Sequence, residues 1–162
     1  MKQGKIAESV LKRSIFKQLH LKRPDVLLAA GIGEDCAAFA VAEDEVAVIS
    51  ADPVIWEDSL DGRCAVHANL NDLAAGGAEP VGLILTALLP PEIEEAQMRQ
   101  MVQMIAQECE PLQVQILGGH TEVTDAVKRP VVSIAAVGKA KKGMLSTCLL
   151  YTSPSPRDRQ KS

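Results

Sequence analysis

Aromatic residues are nearly absent: one Trp, one Tyr and two Phe make up 2% of the 162 residues. The interior must therefore be built from Val, Ile, Leu, Ala and Met. A basic stripe interleaved with aromatics is missing too. The net charge of −4 and a pI near 5.4 argue against nucleic acid as a partner. The four cysteines, Cys36, Cys64, Cys109 and Cys148, show no CxxC spacing and are expected to be reduced intracellular thiols. No apolar run approaches the length of a membrane span. Met1-Lys2-Gln3-Gly4-Lys5 leads into an amphipathic segment rather than the apolar core of a signal peptide. Neither nucleotide-binding glycine fingerprint occurs: Gly31-Ile32-Gly33-Glu34-Asp35-Cys36 has Cys in the place of the third glycine, and no GxxxxGK[ST] exists. A Rossmann or P-loop protein is thereby left without support. The expectation is a soluble, cytoplasmic protein with no nucleic-acid or membrane partner.

What is present suits one folded domain with a real core, since hydrophobic residues make up 47% of the chain. The most informative stretch is His67-Ala68-Asn69-Leu70-Asn71-Asp72-Leu73-Ala74-Ala75-Gly76-Gly77-Ala78-Glu79-Pro80. It reads as a helix up to Ala75, stopped by the glycine pair and the proline beyond. Asn69 and Asp72 fall one turn apart on one face. The alternative is a packing helix whose polar residues are merely solvated.

Elsewhere, Ile6, Val10, Leu11, Ile15 and Leu19 recur at helical spacing, and Pro24 ends that helix. Val26 to Ala29 is a short apolar run. Ala37 to Val41 and Glu45 to Ser50 read as two strands across the acidic turn Ala42-Glu43-Asp44. Asp52 lies at the end of the second, and Asp58 or Ser59 is placed to cap the central helix. Val81 to Leu89 reads as a buried strand stopped by Pro90-Pro91. Glu92 to Glu110 reads as a helix with Met98, Met101, Val102 and Ile105 inward, which assigns the methionines to the core. Val114 to Leu117 is a strand leading into Gly118-Gly119-His120-Thr121-Glu122, and Val131 to Val137 is another.

After Lys139 the chain loses its hydrophobic period, so a domain over 1–142 and a non-native or disordered tail over 143–162 are expected. From about Cys148 to Asp158 the tail reads as an in-frame translation of a sequencing adapter, a scar to be kept out of fold reasoning. Cys148 and Tyr151 are accordingly given no function.

Asp35, Asp52 and Asp72 sit beside glycine-rich turns or at element ends, where ligand chemistry gathers in sheet-and-helix folds. Three converging carboxylates without a cation would repel by roughly 4 kcal/mol per close pair at an effective dielectric near 20. Convergence would therefore imply Mg²⁺, which takes oxygen ligands and bridges carboxylates to phosphates. Scattered surface acids remain the alternative.

In order, Gly31-Ile32-Gly33-Glu34-Asp35-Cys36-Ala37, Ser50-Ala51-Asp52, Asn69 to Pro80 and Gly118-Gly119-His120-Thr121 resemble the amino-terminal domain of the aminoimidazole ribonucleotide synthetase superfamily. That group also holds thiamine-monophosphate kinase, selenophosphate synthetase and the hydrogenase maturation factor HypE. The resemblance covers about Lys5 to Ala140. It implies an α+β, PurM-like fold: a mixed or antiparallel sheet of four to five strands, with helices on one face and the sheet used for homodimerisation. It also implies ATP and Mg²⁺ as cofactors, and a second, carboxy-terminal domain that completes the cleft and is missing here. By the same resemblance Asp35, Asp52 and Asp72 are metal ligands, and Gly31, Gly33, Asn69, Asn71, Gly118, Gly119 and Thr121 are cofactor-binding. His120 stands where relatives usually carry an acid, and is either a phosphate contact, a general acid or base, or a structural residue bonding the turn. The motifs look most like the hydrogenase-maturation branch, in which ATP activates an oxygen of a small acyl or carbamoyl group and a maturation partner protein is involved. A small-molecule kinase like thiamine-monophosphate kinase is the alternative, and an inactive dimerisation module a third.

Overall fold

The computed structural model describes residues 2–34, 36–57 and 61–146. Asp35, the cap candidates Asp58 and Ser59, and the tail residues Cys148 and Tyr151 lie outside the described residues. In chain order the elements are β1 (Gly4–Lys5), α1 (Glu8–Val10), β2 (Val26–Leu28), β3 (Ala38–Phe39), β4 (Glu45–Ile55), α2 (Asp61–Ala75), β5 (Glu79–Leu89), α3 (Glu95–Cys109), β6 (Gln115–Val123) and β7 (Val131–Lys141). Helix α1 runs on through a π turn, Leu11–Ile15, and a 3₁₀ turn, Phe16–Gln18. The amino-terminal helix read from the sequence is thus one irregular run. Its apolar side still packs on the core through Val10, Leu11, Ile15 and Leu19.

Five strands form one mixed sheet in the order β1-β6-β5-β7-β4, in which only β5 and β6 are parallel. A parallel pair needs a crossover, and α3 supplies it. Helices α2 and α3 lie on one face of this sheet, against a core that includes Leu73, Leu83, Leu89, Met98, Ile105 and Ile134. The α+β architecture, the five strands and the one-sided helical cover are those the sequence implied.

Three local expectations change. The two strands flanking Ala42-Glu43-Asp44 do not pair: β3 joins β2 in a separate two-stranded sheet, whereas β4 pairs with β7 along its whole length. Strand β4 also runs on through Pro53, which an edge strand tolerates because a missing N–H can face outward. The segment Gly118-Gly119-His120-Thr121 is strand, not loop. Leu117 is bulged out of register between Ile116 and Gly118, and a Cβ on Gly119 would lie 1.9 Å from the Leu85 carbonyl oxygen. Only glycine lets β5 and β6 approach at that point.

Helix α2 stops as its double glycine predicts. Gly77 has φ +77°, its N–H bonds to the Ala74 carbonyl, and the Ala78 N–H reaches back to Leu73. This is the paired closure of a left-handed C-terminal cap. Beyond β7, the Met144 N–H bonds to Lys141 and the Ser146 N–H to the Gly76 carbonyl. The chain therefore contacts the domain for at least four residues past 142.

The sheet face away from the helices is bare along β4, while on β7 Val137 is buried and Lys139 is covered by Asp25. Along β4, Ala47, Ile49, Ala51, Pro53 and Ile55 all face it, and Ile49 and Ile55 are 67% and 54% exposed. Ile84 on β5 continues the same surface.

Candidate functional site

Two rungs join α2 to β4. The Ser50 hydroxyl donates to Asp72 Oδ2 at 2.8 Å, and the backbone N–H of Asp52 donates to Asn69 Oδ1 at 3.0 Å. The spacing explains both. Ser50 and Asp52 are two apart on a strand and so share a face, while Asn69 and Asp72 are three apart on a helix and so share a side. Their cross-strand partners, Ala136 and Ile134, are buried core residues, which fixes that face as the one under α2. Asp52 and Asp72 are both exposed, so their carboxylates meet solvent beside one another's anchors.

Asn69 differs from them. It is fully buried, and its amide nitrogen donates to the Ala65 carbonyl while its oxygen holds Asp52. Both ends of the side chain are occupied within the protein, so its position is that of a strut between helix and strand. Asn71 is exposed on the neighbouring side of the helix. Ser50 enters the sequence reading only within the Ser50-Ala51-Asp52 motif, without a role of its own. The available signal was its place two residues before Asp52, on the same face of the strand.

The register distributes the β6 motif over both sheet faces. Gly119 and Thr121 pair with Leu85 and Ala87, which pack on the core, and so face the helices. Gly118 and His120 pair with Ile84 and Thr86 and face the bare side. His120 Nε2 lies 3.2 Å from Glu122 Oε2, with both side chains more than 40% exposed. His120 therefore stands on the opposite face of the sheet from Asp72. Gly31 and Gly33 occupy the β2–β3 connection, where Gly33 has φ +79° and the Glu34 N–H closes a turn on the Gly31 carbonyl.

Among the described residues no three of His, Cys, Asp and Glu gather in a way that would hold a metal ion. Two clefts lie elsewhere. One, of about 370 Å³, is bordered by Trp56, Pro90, Ile93, Met101 and Met104. A smaller one, of about 140 Å³, lies between Gln18–Leu21 and the far end of α3. Cys109 borders the smaller, and burial pushes its thiol up to about 12, which leaves it an inert core group. No helix among the described residues is long and apolar enough to cross a membrane.

The mixed five-stranded sheet with both long helices on one face defines an α+β domain of the PurM-like kind. The chain belongs to the AIR synthase related protein family, whose N-terminal domain matches residues 33–140. It is 33% identical over 110 residues to a carbamoyl dehydratase HypE of Rhodobacter capsulatus, covering 68% of this chain and 32% of that protein. It is also 33% identical over 114 residues to the thiamine-monophosphate kinase of Escherichia coli strain K12, covering 65% of this chain and 34% of the relative. Among solved structures, a hydrogenase maturation protein HypE in complex with ATP superposes with a TM-score of 0.72 at 17% identity, over 86% of this chain and 41% of that one. At that identity the likeness is one of fold. The chain thus spans well under half the length of these relatives. The two sequence relatives are enzymes, a dehydratase and a kinase.

Proposed function

We propose that the chain is the nucleotide-binding part of an enzyme that uses ATP and Mg²⁺ to activate an oxygen of a small acyl or carbamoyl substrate. The observation that carries this reading is the double rung Ser50–Asp72 and Asp52–Asn69, which sets two exposed carboxylates on one side of the fold. An all-oxygen pair fits Mg²⁺, which is commonly held by one or two carboxylates with substrate phosphates and water completing its shell. When bound, the ion would supply charge neutralisation and polarisation of the phosphate oxygens. Asp52 and Asp72 would be its protein ligands, with Asp35 as the third. The Ser50 hydroxyl occupies one oxygen of Asp72 and fixes the carboxylate's orientation. Asn69 serves indirectly, by fixing the Asp52 backbone.

Backbone amides at Gly31, Gly33 and Gly118 can approach phosphate without side-chain hindrance, and Gly119 serves by letting β5 and β6 approach beside them. Asn71 and Thr121 add polar contacts. His120 would act as a proton donor or acceptor from the bare sheet face, oriented by Glu122. Because Ile49, Ile55 and Ile84 are exposed on that face, we place a second copy of the chain there, giving a cytoplasmic homodimer. A maturation partner protein belongs to the same reading through the HypE relatives. The kinase alternative, phosphoryl transfer to a small hydroxyl or phosphate acceptor, is favoured by the equal identity to thiamine-monophosphate kinase.

Calorimetric titration of the purified chain with ATP in the presence of magnesium tests the site. Binding by the wild type, with at least a tenfold loss in Asp72→Asn and in Asp52→Asn at unchanged circular dichroism, is the expected result. Wild-type affinity in both variants would overturn it.

A further inference from the structure

The β2–β3 hairpin stands apart from the main sheet. Among the described residues, no backbone–backbone hydrogen bond joins β2 or β3 to the five strands. Its polar anchorage instead runs through two side chains just before β2. Arg23 Nε and Nη2 grip Asp25 with two 2.8 Å bonds, Nη1 donates to the Gln113 carbonyl at 2.8 Å, and Nη2 reaches Glu79 at 3.4 Å. The backbone N–H of Arg23 donates to Gln115 Oε1 at 2.7 Å. Asp25 in turn accepts from Lys139 Nζ at 2.9 Å, while its own carbonyl accepts the Ala40 N–H at the end of β3. The three charged side chains are each less than a fifth exposed.

Asp25 thus ties the hairpin to β7 through its carboxylate and holds the end of β3 through its carbonyl, while Arg23 ties the hairpin to the start of β5 and to the segment entering β6. An exposed ion pair would contribute little. A bidentate pair shielded from solvent, with its remaining donors spent on carbonyls, holds one geometry far better. Leu27, the central residue of β2, is 72% exposed, so apolar packing at the middle of that strand adds little to the attachment.

We propose that Arg23, Asp25 and Lys139 form a clamp that sets the β2–β3 hairpin, and with it the connection carrying Gly31 and Gly33, in place on the sheet. These are positioning residues: they would act on bound nucleotide through the glycine connection and not by touching it. The part of the inference that concerns nucleotide rests on the functional reading above.

The test uses the full 162-residue chain in two variants, Asp25→Asn and Lys139→Met. The second removes only one of the two cations and keeps the Arg23–Asp25 pair, so it stays folded should the first not. Hydrogen exchange is followed without nucleotide, and magnesium-ATP affinity is measured by calorimetry. Amides over 26–39 should exchange about tenfold faster while those of α2 and α3 keep their protection, as local opening of one unit requires. ATP affinity should fall by about tenfold, with Asp25→Glu restoring part of it. Unchanged exchange in the hairpin would overturn the clamp. Faster exchange with wild-type ATP affinity would overturn its positioning role. Failure of the wild type itself to bind ATP would overturn the nucleotide reading, while the exchange data would still decide the clamp.

Discussion

Asn69 holds the backbone of Asp52 from across the helix–strand interface: its side-chain oxygen accepts that N–H at 3.0 Å, in a position with no solvent exposure. Replacing it with Ala leaves the Asp52 N–H without its partner, while the Ala65 carbonyl keeps its place in the helical ladder, at a cost of about 1–3 kcal/mol. Asn69→Ala should therefore melt several degrees lower than wild type. Asn71→Ala, on the exposed side of the same helix, should melt within about 1 °C, as surface changes generally do. Thermal unfolding followed by circular dichroism distinguishes the two. Equal melting temperatures would show that Asn69 is not a strut.

The adjacent glycines of β6 should respond oppositely to alanine. At Gly118 a Cβ meets nothing within 4 Å, whereas at Gly119 it would overlap the Leu85 carbonyl and force β5 and β6 apart. Gly118→Ala should express and melt like wild type. Gly119→Ala should lose about 3 kcal/mol or more, or fail to fold, because a 1.9 Å overlap with the neighbouring strand's backbone cannot be relieved by moving a side chain. A soluble Gly119→Ala protein with native stability would show that the strands do not approach this closely.

Acid should weaken the fold in a defined window. Glu95, the first residue of α3, is held at about 2 rather than its ordinary 4.5, first by the Arg13 guanidinium, then by the Ser14 hydroxyl, with Arg99 adding to both. Asp25 is held well below the usual carboxylate range by Arg23 and Lys139. Both carboxylates bind protons more weakly folded than unfolded. Their contribution is thus complete above the unfolded values and is lost as pH falls through the folded ones. Melting temperature should be flat above pH 5 and decline from about 4.5 toward 2. Glu95→Gln should show a lower plateau and a shallower decline, and an identical slope would remove Glu95 from the account.

The bare sheet face predicts association. Ile49 is 67% exposed at the centre of the edge strand β4, and burying such a side chain gains about 1.5–3 kcal/mol. In a two-fold dimer each substitution acts twice. Light scattering should give a dimer for the wild type and a monomer for Ile49→Asp, whose melting temperature then depends less on concentration. A wild-type monomer at micromolar concentration would refute the assembly.

Much of this architecture was legible because its signals are local. The stop at Gly76-Gly77 follows from backbone freedom, the inward methionines of α3 from helical period, and the buried strands β5 and β7 from continuous apolar runs. The sharing of one side by Asn69 and Asp72 is likewise a matter of angle along a helix. The mispairing of β3 is a different kind of case. A short acidic turn between two apolar runs is compatible with a hairpin, but β7 offers β4 an 11-residue ladder that β3 cannot match. Pairing between segments distant in sequence leaves no mark within either. The same holds for Ser50, meaningful only once β4 lies under α2, and for the Arg23–Asp25–Lys139 group, whose members span 114 residues between Asp25 and Lys139. That His120 lies across the sheet from Asp72 follows from the bulge at Leu117, which changes the face of every residue after it.

The hydrogen bond from Ser146 to the Gly76 carbonyl joins the end of β7 to the stop of α2. A Cβ on Gly77 would lie 2.7 Å from the Met144 carbonyl oxygen, so residues 144–146 occupy the space that a larger residue at this turn would need. Gly76 is four residues beyond Asp72, about 6 Å along a helix axis. A change at residues 144–146 would therefore reach the acidic pair through a single helical turn, without touching either carboxylate.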